Sequence, residues 1–287
     1  MIKSKIIKPQ AAATELIVDV WRVGKGINAY PIDVELIISE YINKRYKSET
    51  IEIYPENLNS IDGALLKKTD HWALVYNGNI VNRGRKNFTI AHELGHYLCH
   101  RSMQDEFRCG EKELYRPDQN IEREADQFAS SLLMPIDDFK NEIDEDNITM
   151  DTFKYCANRY GTSLMASILR WLHFTSKCAV VIKSRDDFVL WSWSSRLAIR
   201  NGIHFKEAHE LPENSLTRKK QNYELSGNGF LSEKIWHCQY PAQEIYFHAE
   251  NHEYDLTLLI FKGVSDAKYD YDEEQDEEDC VAKLSKF

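Results

Sequence analysis

The 287-residue sequence lacks the features of an exported or membrane-spanning protein. It has no apolar run of about 18 residues or more, the length that a transmembrane helix needs. The N-terminal stretch MIKSKIIKPQ is basic, but Lys8, Pro9 and Gln10 interrupt any apolar signal-peptide core. We therefore expect a cytoplasmic protein without a membrane partner.

The sequence also lacks a cysteine framework. Its six cysteines are scattered and include no CxxC pair. In a chain of this size such cysteines are typical of reduced thiols in the cytosol, which agrees with the expected location. No internal repeat is present, so repeat architectures are excluded.

Negative charge is concentrated near the C-terminus. The formal net charge is −10, but residues 266–279 contain nine acidic residues against Lys268 alone. The rest of the chain is close to neutral, so we do not expect an acidic surface on the folded part. We predict that residues 266–287 form a solvated, disordered acidic tail; a mimic of nucleic acid is the alternative.

The remaining chain predicts an α+β protein with three domains. Residues 1–135 combine helical patterns with short apolar runs over 50–82 that predict a small antiparallel sheet. Residues 136–175 are helical in pattern. Residues 176–265 contain short β-like runs separated by polar segments, which predicts a C-terminal mixed α/β domain.

The segment His92-Glu93-Leu94-Gly95-His96 matches the HExxH pattern. Residues four apart lie one turn apart on the same helix face, so His92 and His96 can bind one cation. Glu93 lies beside the metal and can take a proton from a water whose pKa the metal lowers to about 7. The motif predicts a zinc hydrolase; a helix with two exposed or capping histidines is the alternative.

Catalytic zinc takes three protein ligands, so a third ligand is required. His100 lies about 12 Å along a straight helix from His92, too far to share the ion. Glu122 and Asp126 lie four residues apart in a second amphipathic pattern, which suits a metal-bound carboxylate and an acceptor that orients a ligand histidine. Glu124 points about 200° away from Glu122 around that helix and is expected to face solvent. We therefore favour Glu122.

Two stretches resemble the ImmA/IrrE family of metallopeptidases, a group of gluzincin-like bacterial and phage proteins. They are FTIAHELGHYL at residues 88–98 and EREADQFASSLLMP at residues 122–135, of which the second is the more specific. The resemblance implies a zincin-like metallopeptidase domain. The family often has Asn where this chain has Asp126, and both side chains accept a hydrogen bond. The family's functional residues correspond here to the metal ligands His92, His96 and Glu122 and the catalytic base Glu93.

The resemblance also implies a cofactor and a biological role. One Zn²⁺ per chain is expected, with Mn²⁺ as the alternative. The implied activity is cleavage of a transcriptional repressor of the helix-turn-helix (XRE-like) type. This cleavage would relieve repression in a stress, phage or mobile-element system. A regulatory protein that sequesters a partner without cutting it is the alternative, although a pure scaffold has no need for the base Glu93.

Family members often carry further modules after the peptidase domain. A helix-turn-helix-like module fits residues 150–172. Some members also add a GAF-like domain, for which residues 178–265 are the candidate segment here, although no motif marks it. The helical module has few cations, so we expect it to dock domains or a protein partner rather than bind DNA.

Overall fold

The computed structural model describes residues 8–59, 61–109, 119–220, 225–249 and 254–265. The predicted acidic tail therefore lies outside the described residues.

The chain divides into two compact units. The described part of the first unit lies within residues 1–143 and 155–167, and that of the second within 144–154 and 168–265. Each unit contains helices and strands, which confirms the α+β class. The three predicted domains, with boundaries at residues 135 and 175, stay a prediction.

Two helices begin the first unit. Helix α1 covers residues 9–25 and helix α2 covers residues 34–45, and the middle turns of both are π-helical. Asp33 caps α2, since its carboxylate accepts a hydrogen bond from the backbone N of Leu36 at 2.9 Å. The buried face of α2 follows the helical period and consists of Val34, Ile37, Ile38 and Ile42.

A four-stranded sheet follows, with the order β1-β3-β2-β4. Its strands are β1 (Thr50–Glu56), β2 (Gly63–Lys67), β3 (His71–Asn77) and β4 (Glu106–Cys109).

The pairing of these strands corrects the predicted antiparallel sheet. Strand β2 pairs antiparallel with β3 and β4, but β1 pairs parallel with β3, so the sheet is mixed. The chain reverses direction between β1 and β2 and again between β2 and β3, so β1 and β3 run the same way. Burial explains why these two strands are neighbours. Trp72, Ala73 and Leu74 of β3 are at most 2% exposed, and a strand this apolar takes a central position between two neighbours. Strand β1 therefore lies on the far side of β3 from β2.

Helices α3 (Arg83–His100) and α4 (Gln119–Leu133) carry the two motifs. The side chain of Asn82 caps α3 by accepting a hydrogen bond from the backbone N of Arg85 at 3.0 Å. The two helices pack closely at Gly95, where a Cβ would lie 3.1 Å from Cδ1 of Phe128 and 3.2 Å from Cα of Ala125. This packing brings the HExxH segment against the second motif.

Three shorter helices follow: α5 (Ile136–Asn141), α6 (Met150–Tyr160) and α7 (Leu164–Phe174). The hydroxyl of Ser163 accepts a hydrogen bond from the backbone N of Ala166 at 3.0 Å, so Ser163 caps α7. A short turn joins α6 to α7, and the assignment of this segment as a helix-turn-helix-like module stays a prediction.

The second unit contains a five-stranded antiparallel sheet with the order β6-β5-β9-β8-β7. The short helices α8 (Arg196–Arg200) and α9 (Leu216–Lys219) accompany it. The assignment of this unit as GAF-like stays a prediction. The strands are β5 (Ala179–Arg185), β6 (Phe188–Ser194), β7 (Ser226–Leu231), β8 (Ala242–Ala249) and β9 (Tyr254–Phe261).

A buried carboxylate ties α9 to this sheet. Glu244 of β8 is fully buried and accepts hydrogen bonds from the backbone N of Leu216 at 3.0 Å and of Thr217 at 2.8 Å. The Thr217 hydroxyl at 2.7 Å and the indole N–H of Trp236 at 2.6 Å complete the set. Four donors to one carboxylate offset the cost of burying its charge. None of the helices described here is long and apolar enough to cross a membrane.

Candidate metal centre

Helices α3 and α4 bring three predicted ligands together. The two Nε2 atoms of His92 and His96 lie 3.0 Å apart. The carboxylate of Glu122 lies 3.2 Å from Nε2 of His92 through Oε2 and 3.4 Å from Nε2 of His96 through Oε1. Among the residues that the structure describes, these three form a group that could hold a metal ion, with one ligand atom from each within 4.8 Å of the others.

The spacing of these atoms fits a tetrahedral metal ion. Zinc bonds of about 2.0–2.1 Å at tetrahedral angles place ligand atoms about 3.3 Å apart. The observed separations of 3.0, 3.2 and 3.4 Å bracket that value. Two imidazoles and one carboxylate also form a donor set used by catalytic zinc sites. The residues present therefore fit the implied ion.

The charge states of the ligands also suit a cation. Burial lowers the pKa of His96 to about 4, despite the opposing effect of Glu122, so the imidazole is neutral near pH 7. Burial alone would raise the pKa of Glu122, but hydrogen bonds with His92 and His96 bring it well below its usual range. A neutral imidazole and an ionised carboxylate are the forms that bind metal.

An acidic side chain lies behind His92, as predicted. Oδ1 of Asp126 is 2.8 Å from Nδ1 of His92, and Asp126 is 1% exposed. When this carboxylate accepts a hydrogen bond from the Nδ1–H of a neutral His92 ring, Nε2 of that ring carries the lone pair that a metal ion would take. The structure therefore places Asp126 where it can orient a ligand.

The surroundings of His96 were not anticipated from the sequence. Nδ1 of His96 lies 3.2 Å from Nδ1 of His100, and Nε2 of His100 lies 2.8 Å from Oε2 of Glu124. Phe107 of β4 stacks on the His96 ring with centroids 4.5 Å apart. As expected, His100 is not placed as a ligand. Glu124, expected to face solvent, is 43% exposed but bonds to His100. The four-residue spacing of His96 and His100 was the available signal.

The predicted base Glu93 is fully buried. Strand β2 begins beside it, and a Cβ added at Gly63 would lie 2.7 Å from Oε1 of Glu93 and 2.6 Å from Cγ2 of Thr89. Gly63 therefore leaves the space that the Glu93 carboxylate occupies. No sequence motif marked this glycine, because the contact joins a strand to a helix.

An HExxH helix packed beside a small sheet, with a glutamate from the next helix completing a His-His-Glu group, is consistent with a zincin-like domain. Residues 47–172 match the model of the Peptidase_M78 family, the IrrE N-terminal-like domain. The match confirms the resemblance to ImmA/IrrE proteins. It includes His92, His96 and Glu122, and the family implies a metallopeptidase.

One similar solved structure is a Mycobacterium tuberculosis transcriptional regulator. It matches with a TM-score of 0.56 and 11% sequence identity, over 88% of this chain and 76% of that chain. At this identity the similarity shows the fold alone. A comparison with curated proteins found no match.

Proposed function

We propose that this chain is a zinc-dependent endopeptidase that cleaves one specific protein. The observation that carries the proposal is the His92–His96–Glu122 group, whose nitrogen and oxygen atoms have the spacing of a tetrahedral metal site. Glu93 lies on the same helix, one residue after His92, which is the position of a general base in an HExxH hydrolase. One Zn²⁺ per chain is the proposed cofactor, with Mn²⁺ as the alternative.

Each residue has a separate task in the proposed reaction. When bound, the metal ion supplies Lewis-acid chemistry, which makes water acidic and polarises the scissile carbonyl. Glu93 accepts a proton from the attacking water and delivers it to the leaving amine. Asp126 keeps the His92 ring in the orientation that ligation requires. Gly63 leaves room for the Glu93 carboxylate.

The proposed substrate is a transcriptional repressor of the helix-turn-helix type, and the proposed location is the cytoplasm. The family match supports a peptidase, and the fold shared with a transcriptional regulator supports a role in gene control. The helical module and the second unit are proposed to recognise the protein partner rather than DNA.

The test compares the wild type with Glu93→Gln. Each is incubated with the helix-turn-helix repressor encoded nearest to its gene, and fragments are identified by mass spectrometry while a reporter measures repression. The wild type should cut the repressor at one defined bond and relieve repression. Glu93→Gln removes the base but no ligand, so it should bind the same amount of zinc and produce no fragment.

The alternative is a regulatory protein that sequesters its partner. It predicts that the wild type and Glu93→Gln relieve repression equally and that no fragment forms. That outcome would show that the peptidase proposal is wrong. A wild-type protein that binds no zinc would contradict the metal centre itself.

A further inference from the structure

We propose that His100 and Glu124 act together as positioning residues that hold His96 in its metal-binding form. The inference rests on the proposed metal centre and adds two residues that the HExxH motif does not include. The two histidines of the proposed metal centre have different neighbours. The carboxylate of Asp126 contacts His92 directly, whereas the imidazole of His100 lies between His96 and the carboxylate of Glu124.

The proton positions follow from the contacts. Nε2 of His96 faces Nε2 of His92 and Oε1 of Glu122, so a metal ion would take this lone pair. A neutral imidazole carries one proton, which must then lie on Nδ1. The atom facing that proton is Nδ1 of His100 at 3.2 Å, which can accept it only if its own proton lies on Nε2. Nε2 of His100 faces the Glu124 carboxylate at 2.8 Å, an acceptor for that proton.

One arrangement of protons therefore satisfies every contact in the series Glu124–His100–His96. Glu124 accepts from His100, His100 accepts from His96, and His96 keeps its Nε2 lone pair for the metal. Without Glu124, the His100 proton can move to Nδ1. Two N–H groups would then face each other across 3.2 Å. His96 would favour the tautomer that cannot bind metal at Nε2.

Burial makes this dependence strong. His96 is fully buried and His100 is 1% exposed, so both rings depend on protein groups rather than bulk water for their hydrogen bonds. Phe107 covers the His96 ring and offers no hydrogen-bond acceptor in the ring plane. Glu124, with a side chain 43% exposed, is the member of the series that reaches solvent.

The test measures zinc affinity in competition with a chromogenic chelator, independently of peptidase activity. His100→Phe keeps a ring but removes the acceptor of the His96 proton, and Glu124→Met keeps a side chain of similar length but removes the acceptor of the His100 proton. Both should weaken zinc binding by about 10–100-fold, the usual effect of losing a group that supports a ligand. His100→Asn places an amide oxygen near the Nδ1 position and should recover part of the loss.

A charge control separates this role from general electrostatics, and a double variant tests whether Glu124 acts through His100. Glu49, 40% exposed, pairs with Arg101 just after His100 in the chain, so Glu49→Gln removes a comparable carboxylate without touching the series. It should change zinc affinity by less than about 3-fold. Since Glu124 acts through His100, the double variant His100→Phe/Glu124→Met should bind zinc as His100→Phe does. Glu124→Met changes a partly exposed residue to another good helix former and is expected to fold.

Three results would overturn the inference: wild-type affinity in either His100→Phe or Glu124→Met, an equal loss in Glu49→Gln, or additive losses in the double variant. Absence of zinc binding in the wild type would instead refute the proposed metal centre, so the two failures are distinguishable.

Discussion

Replacement of Gly63 by alanine tests whether the catalytic base depends on space left by the sheet. The new Cβ would lie 2.7 Å from Oε1 of Glu93 and 2.6 Å from Cγ2 of Thr89, whereas ordinary contact begins at 3.4 Å. The neighbouring atoms must therefore move by about 0.7–0.8 Å. Gly63 does not have a positive φ, so alanine can adopt its backbone conformation and the effect is steric.

The expected loss concerns the rate of cleavage more than binding of the metal. A displacement of about 1 Å at a catalytic group lowers the rate by about 100-fold, which equals about 2.7 kcal/mol of activation free energy. Overpacking should also reduce the free energy of unfolding by about 1–3 kcal/mol. Zinc affinity should stay within about 3-fold of wild type, because the added methyl group meets Thr89 and Glu93 rather than a ligand.

Three measurements check this prediction: kcat on the cleaved protein, zinc affinity by chelator competition, and stability by urea denaturation. Gly78→Ala is the matched control, because its Cβ would approach no heavy atom closer than the 3.6 Å to the carbonyl oxygen of Glu56. Full activity in Gly63→Ala would refute the reasoning about Glu93. An equal loss in Gly78→Ala would show that any alanine in this region disturbs the domain.

Three further predictions concern the metal centre and the second unit. Asp126→Ala should weaken zinc binding by about 10–100-fold, measured by chelator competition. Asp126→Asn keeps an acceptor and should lose much less zinc affinity, so equal losses in the two variants would contradict the role of Asp126. Free zinc at about 100 times its Kd should add about 2.7 kcal/mol to the unfolding free energy of the wild type, measured by thermal melts with and without chelator. Glu122→Gln should show little of that gain, and an undiminished gain would exclude Glu122 as a ligand. Glu244→Ala leaves the donors of Thr217 without their acceptor and should cost about 3 kcal/mol of unfolding free energy in urea; a cost below about 1 kcal/mol would contradict the role of that carboxylate.

The ligand group was predictable because its chemistry follows the helical period. His92 and His96 are four residues apart, as are Glu122 and Asp126, so each pair shares a helix face without any knowledge of the tertiary fold. The structure needed only to bring α3 against α4, and Gly95 permits that close approach. The helical spacing of these residues in the sequence was therefore enough to predict most of the proposed ligands.

The strands that the sequence did not reveal have little apolar pattern of their own. Strand β4 is four residues long, and Phe107 is its buried apolar residue. Strand β7 has the sequence SGNGFL, which is typical of a turn. Its Gly227 is required by a neighbour, since a Cβ there would lie 2.4 Å from Cε1 of Tyr246. Pairing with a longer strand, rather than intrinsic preference, stabilises such segments.

The parts of the site that sequence could not predict are contacts between different elements. Gly63 lies in a strand, and its missing side chain leaves room for the Glu93 carboxylate on the neighbouring helix. Glu124 contacts His100, although its helical position directs it away from Glu122. Neither residue belongs to the HExxH pattern. It follows that an intact motif is insufficient evidence of activity. A related chain with HExxH and the downstream glutamate but a larger residue at the position of Gly63 should bind zinc and cleave poorly. Such a chain would separate metal binding from catalysis in this fold, because the base and the ligands depend on different neighbours.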